Sequence, residues 1–141
     1  MMYSCGCDCK VKAWSIANSQ LKYEFAHGSY VYDIVIGREG TPFENRLVSI
    51  SAEKCCRVSN LETGAKLKRI NLDSPCWAVA TDRAQTVIAI GTNANVTFIE
   101  TTNFTKVKEI LLKSVYSLAF SKRNDYLLAV TGNGEVHSLK F

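Results

Sequence analysis

Residues 128–140 read LAVTGNGEVHSLK: a β-rich run, a polar turn, then a second β-rich run. Asn133 and Gly134 both tolerate the positive φ of a tight hairpin turn. The same pattern stands at 88–100, IAIGTNANVTFIE, and at 47–60, LVSISAEKCCRVSN. The turn residues Glu53, Asn93 and Asn133 are thus 40 residues apart. The flanks repeat as well. YVYDIVI (30–36), PCWAVAT (75–81) and SVYSLAF (114–120) each place one aromatic, Tyr32, Trp77 or Tyr116, at the same point of an apolar run. KLKRINL (66–72) recurs as KVKEILL (106–112), so that Lys66 and Lys68 return as Lys106 and Lys108.

No stretch of length carries a helical period, and each unit reads as four strands, labelled a to d from inside to outside. In strand a the reading puts Tyr32, Ile34 and Ile36 on one face and Val31, Asp33 and Val35 on the other. The later copies alternate in the same way, a pattern that suits a strand buried on both sides. Four-stranded sheets at a period of about 40 residues are propeller blades. The expected fold is all-β, a partial β-propeller of four-stranded antiparallel blades with the first and last incomplete. Its units are 1–25, 26–72, 73–112 and 113–141. The opening stretch SCGCDCKVKAWS (4–15) then falls on strand b, its turn and strand c of the first unit.

In that frame the sequence resembles the WD-repeat family of propellers. Asp8 and Trp14 stand six residues apart, as the family's turn Asp and strand-c Trp do. His27 lies four residues before Val31, at the place of the family's loop His, and Ser51 is matched to its strand-b Ser. Glu53 replaces the turn Asp of the second unit and Ser59 its Trp. The third and fourth units keep Asn93 and Asn133 at the turn, with Ile99 and Leu139 at the Trp place. The resemblance implies that His27, Ser51, Glu53, Asp8 and Trp14 belong to buried hydrogen-bonded sets that lock strands together, a folding device with no catalytic part. It also implies a scaffold for protein partners; relatives of this kind serve in ubiquitin ligases, trafficking coats, signalling and RNA-processing complexes.

The composition agrees with a globular domain: 47% of residues are hydrophobic and 21% charged, and the net charge of +4 falls short of a dedicated nucleic-acid binder. No run approaches the roughly 18 apolar residues that span a membrane. The stretch MMYSCGCDCK lacks the apolar core of a signal peptide, so a reducing compartment, cytoplasm or nucleus, is expected, with its cysteines unpaired. There is no Cys-x-x-Cys, no nucleophile elbow and no phosphate-cradling glycine loop. Neither enzymatic activity, nor a metal, nor a cofactor is therefore expected. The alternative for Cys5, Cys7 and Cys9 is a zinc or thiol-redox site.

Candidate partner contacts are Tyr30 and Asp73 in the d–a loops, Lys54 beside a b–c turn, and Arg38 and Phe43 in the long a–b loop GREGTPFEN (37–45). Tyr32, Trp77 and Tyr116 are read as core packing between blades. Lys22, Lys68 and Lys108 on the strand-d edges read first as a guard against edge pairing. The alternative is a basic belt for RNA or anionic lipid. With three strands in the first and last units, the ring does not close. A fragment, self-association that completes the ring, and an open array are the three expectations.

Overall fold

The computed structural model of the chain describes residues 1–140 and is all-β, with no helix among them. Four antiparallel sheets follow one another along the chain. The first contains β1 (Met2–Cys5), β2 (Lys10–Trp14) and β3 (Leu21–Ala26). The second contains β4 (Val31–Ile36), β5 (Arg46–Ser51), β6 (Cys55–Asn60) and β7 (Lys66–Asn71). The third contains β8 (Cys76–Thr81), β9 (Val87–Thr92), β10 (Asn95–Glu100) and β11 (Lys106–Leu111). The last contains β12 (Val115–Phe120), β13 (Tyr126–Thr131) and β14 (Val136–Lys140). Strand order within every sheet is sequence order, so each sheet is a meander. These are blades of a partial propeller: the first sheet starts at its b strand and the last stops at its c strand.

Three apolar clusters lie between successive sheets. Val11, Val31 and Leu47 close the first seam, with Tyr3, Cys5 and Phe25 against them. Val48, Ile50, Cys56, Val58, Ile70, Cys76, Val79, Ile88 and Ile90 fill the second. Ala89, Val96, Phe98, Val115, Leu127 and Ala129 fill the third. Burial of apolar faces on both sides of the middle sheets is the main stabilising force, at about 25 cal/mol per Å² removed from water.

The connections repeat as faithfully as the strands. Left-handed residues with φ between 55° and 83° recur at Cys9, Lys54 and Gly134 in b–c turns, at Ser19, Gly64 and Phe104 in c–d turns, and at Asn45, Gln85 and Asn124 in a–b loops. Cys9 is therefore a turn residue equivalent to Lys54. Gly37 closes the long a–b loop: a Cβ there would stand 1.8 Å from the Phe43 carbonyl oxygen. That loop folds inward. Phe43 is fully buried, with Phe104 edge-on to it at 6.3 Å, so it is a core residue and not the partner contact expected from its loop position. Gln85 of the next sheet clamps the loop. Its Oε1 accepts from the Arg38 N–H at 2.7 Å and the Thr41 hydroxyl at 3.0 Å, and its Nε2 donates to the Ile36 carbonyl at 2.8 Å.

Strands β4, β8 and β12 depart from simple alternation. Val31 pairs with Ser51 but Asp33 pairs with Ile50, so Tyr32 is an extra residue. Trp77 and Tyr116 are extra in the same way, between Cys76 and Ala78 and between Val115 and Ser117. Each aromatic is the inserted residue of a β-bulge. The bulge flips the parity of everything after it, so Val31 shares the first seam with Ile34 and Ile36, while Val35 faces the second. The faces expected from period-two alternation are corrected accordingly.

Candidate functional site

The three bulges aim the aromatic side chains out of the seams. Tyr32 is 39% exposed and Tyr116 is 50% exposed, with Trp77 half-buried between them. The core-packing expectation for these three residues is overturned. Ring centroids are 4.7 Å apart for Tyr32–Trp77 and 5.2 Å for Trp77–Tyr116, and Tyr30, 49% exposed, meets Tyr32 edge-on at 6.4 Å. Four aromatics thus form one continuous row across the starts of the innermost strands of three sheets. The row is held in place. The Trp77 indole N–H donates to Asn93 Oδ1 at 2.5 Å, and the Tyr30 carbonyl accepts from the Ala52 N–H at 3.2 Å. Beneath it, the Asp33 carboxylate takes the Ile34 N–H at 2.9 Å and the Val79 N–H at 3.3 Å, tying β4 to β8. Burial holds the Asp33 pKa above the ordinary carboxylate value, against the opposing effect of those two amides.

A second constellation lies in the first seam, toward its outer side. His27 Nδ1 meets Glu53 Oε1 at 2.6 Å, and His27 Nε2 meets Ser49 Oγ at 2.7 Å. Glu53 also accepts from the Gly28 N–H at 2.7 Å and from the Cys55 thiol at 3.2 Å. Burial pulls the His27 pKa below its ordinary value despite the carboxylate beside it. The neutral ring therefore donates from Nδ1–H to Glu53 and accepts the Ser49 hydroxyl proton at Nε2. Burial raises the Glu53 pKa, but the Cys55, His27 and Gly28 donors together outweigh it and hold it below normal. The Cys55 thiol is pushed up to about 12, by burial first and then by Glu53. Ring, carboxylate and thiol are spent on one another, as in a latch.

The serine in this set is Ser49. Ser51, matched from the sequence, lies two residues further along β5 and accepts the Glu53 N–H at 3.3 Å. Trp14 and Asp8 belong elsewhere. The Trp14 indole N–H donates to Ser4 at 3.0 Å within the first sheet. Asp8 is exposed and holds Lys12 at 2.6 Å and the Lys10 N–H at 3.1 Å, with no link to His27. The two sets are therefore Ser4–Trp14 and Ser49–His27–Glu53. Each serine stands four residues before its turn acid, a spacing that could have found both.

His27, Glu53 and Cys55 present donor atoms within 4.8 Å of one another, and among the described residues no other three His, Cys, Asp or Glu side chains do so. Among the described residues, Cys5, Cys7 and Cys9 do not converge with any such partner. Arg57, Lys66 and Arg69 line the same pocket as His27, Glu53 and Cys55. Three positive charges oppose a metal cation there. Of the other candidates, Lys54, Asp73, Lys22 and Lys108 are exposed. Lys68 is not free: its ammonium donates to the Asn103 carbonyl at 3.1 Å and lies 3.4 Å from that of Phe104. Arg38 reaches the Arg83 carbonyl through Nη2.

No protein-family model matches the chain, and no curated protein matches it. Among solved structures, it is similar to the crystal structure of the computationally designed Ika4 protein. The TM-score is 0.83 at 18% identity, over 99% of this chain and 84% of that one. In all, 1071 solved chains match, so the fold is widespread and leaves function to the sites it carries.

Proposed function

We propose that this chain is a WD-repeat-like propeller array acting as a non-catalytic scaffold that binds a segment of a partner protein along its aromatic row. The observation that carries the reading is the row itself. Three equivalent bulges bring Tyr32 and Tyr116 into solvent with Trp77 half-buried between them, outside the apolar seams. Rigid aromatics presented together on a surface are the side chains that dominate protein interfaces. Supporting it, Ser4–Trp14 and Ser49–His27–Glu53 resemble the strand-locking sets of that family. Six unpaired thiols suit the reducing cytoplasm or nucleus.

A peptide-display selection on the purified chain, read out by Trp77 emission in a Trp14→Phe background, tests the proposal. Tyr30→Ala and Tyr116→Ala should each weaken selected peptides by about tenfold to thirtyfold, as interface anchors do, with melting temperature little changed. Peptides that bind both variants as tightly as the parent would overturn it. The reading as a basic belt for RNA or anionic lipid is weaker, because Lys68 is committed to the neighbouring sheet.

A further inference from the structure

The pocket beside His27 has a charge pattern that the latch does not explain. Arg57 on β6 and Arg69 on β7 are direct cross-strand partners. Like charges placed opposite each other on neighbouring strands repel and destabilise a sheet. Lys66, paired with Ser59 two pairs along the same ladder, adds a third cation to the same pocket, whose volume is about 210 Å³. None of the three makes a salt bridge among the described residues. Glu53, the one carboxylate lining the pocket, is occupied by His27, Gly28 and Cys55.

The donors around the pocket are also under-used. Arg57 lies over the Phe25 ring at 4.0 Å, with long contacts of 3.5 Å to the Ala26 carbonyl and 3.4 Å to that of Gly64. Its Nε is buried without a partner, and so is the hydroxyl of Ser59 on the same face of β6. Arg69 spends only Nε, on Asn71 at 3.2 Å. Two guanidinium groups and an ammonium converge on a small, polar, open-mouthed space. Such a set matches a compact dianion.

We propose that the Arg57–Lys66–Arg69 pocket between the first and second sheets is a binding site for a phosphoryl group. It is separate from the aromatic row, which Tyr30 joins at the other end of the same β3–β4 loop. A bound phosphoryl group would neutralise the opposed arginines, and it would sit next to the His27–Gly28 backbone.

Titration of the ¹⁵N-labelled chain with inorganic phosphate, followed at the His27 and Gly28 amides, tests this. Saturable shifts are expected, and Lys66→Gln and Arg69→Gln should each weaken binding about tenfold, the loss typical of one charge-assisted contact. Both residues are exposed on an outer strand, so the variants should fold, and Lys122→Gln in a distant loop should bind as the parent does. In phosphate-free buffer Arg69→Gln should melt above the parent, because the repulsion is relieved, and added phosphate should narrow or reverse that difference. Absence of saturable shifts, full binding by the Lys66/Arg69 double variant, an equal response to acetate, or a lower phosphate-free melting temperature for Arg69→Gln would each overturn the proposal. Tighter binding of a phosphoserine peptide than of inorganic phosphate would assign the group to a partner protein. Equal binding would assign it to the free anion.

Discussion

His27 shows how a single side chain can link two blades through its protonation state. The ring is neutral in the folded chain because burial outweighs Glu53, and Glu53 is held ionised by three donors. Both folded pKa values lie below their unfolded ones. Each group therefore contributes stability at pH above its unfolded value, and loses it as pH falls through the folded one. Unfolding free energy should fall from pH 6.5 downward through His27, and again below about pH 4.5 through Glu53. Urea melts at pH 7.5, 6.0 and 5.0 measure this. His27→Gln should flatten the slope between 7.5 and 5.0, and an unchanged slope would show that the latch is not the titrating element. The right serine was within reach at this scale, since its distance from the turn acid is written in the chain. The loss of Trp at Ser59 was also visible, but not that the Ser59 hydroxyl would be left without a partner.

At the scale of the element, the inner strands combine burial with display. Positions 31, 76 and 115 are buried, and the bulged residue that follows each one faces outward. The cost of truncation should divide along the same line. Phe98→Ala removes a ring that is 2% exposed in the third seam and should cost about 3–5 kcal/mol. Trp77→Ala should cost less than about 2 kcal/mol, because much of that ring already meets solvent and tyrosines. Chemical denaturation of the two variants checks this, and comparable losses would return Trp77 to the core. Alternation predicts faces correctly only while pairing is regular. One extra residue in β4 reverses every face after it, and no residue type in YVYDIVI announces the insertion. The Gln85 clamp was equally hidden, because it joins a loop to a turn 49 residues from its acceptor at Ile36.

At the scale of the molecule, the two end sheets differ in character. The outer face of the first carries the Lys10–Glu24 and Lys12–Asp8 ion pairs at 2.6 Å. The last sheet exposes Tyr126, Leu128, Val130 and Val136, with Leu128 at 43% and Val136 at 67%. An uncovered apolar face is the place where a β-sheet protein associates with itself. Leu128→Lys and Val130→Lys together should lower light scattering at a fixed, high protein concentration, with far-ultraviolet circular dichroism unchanged. Equal scattering would place the adhesive surface elsewhere.

The sequence by itself determined the period, the number of strands, their grouping as three, four, four and three, and the all-β class. These follow from local signals: β-rich runs, turn residues, and their recurrence every 40 residues or so. Tertiary structure alone decided that Phe43 enters the core, that Tyr32, Trp77 and Tyr116 leave it, and that Arg57, Arg69 and Lys66 converge. Each of these depends on register between strands and packing between sheets. Both are settled by many side chains acting together across distances the chain order does not encode.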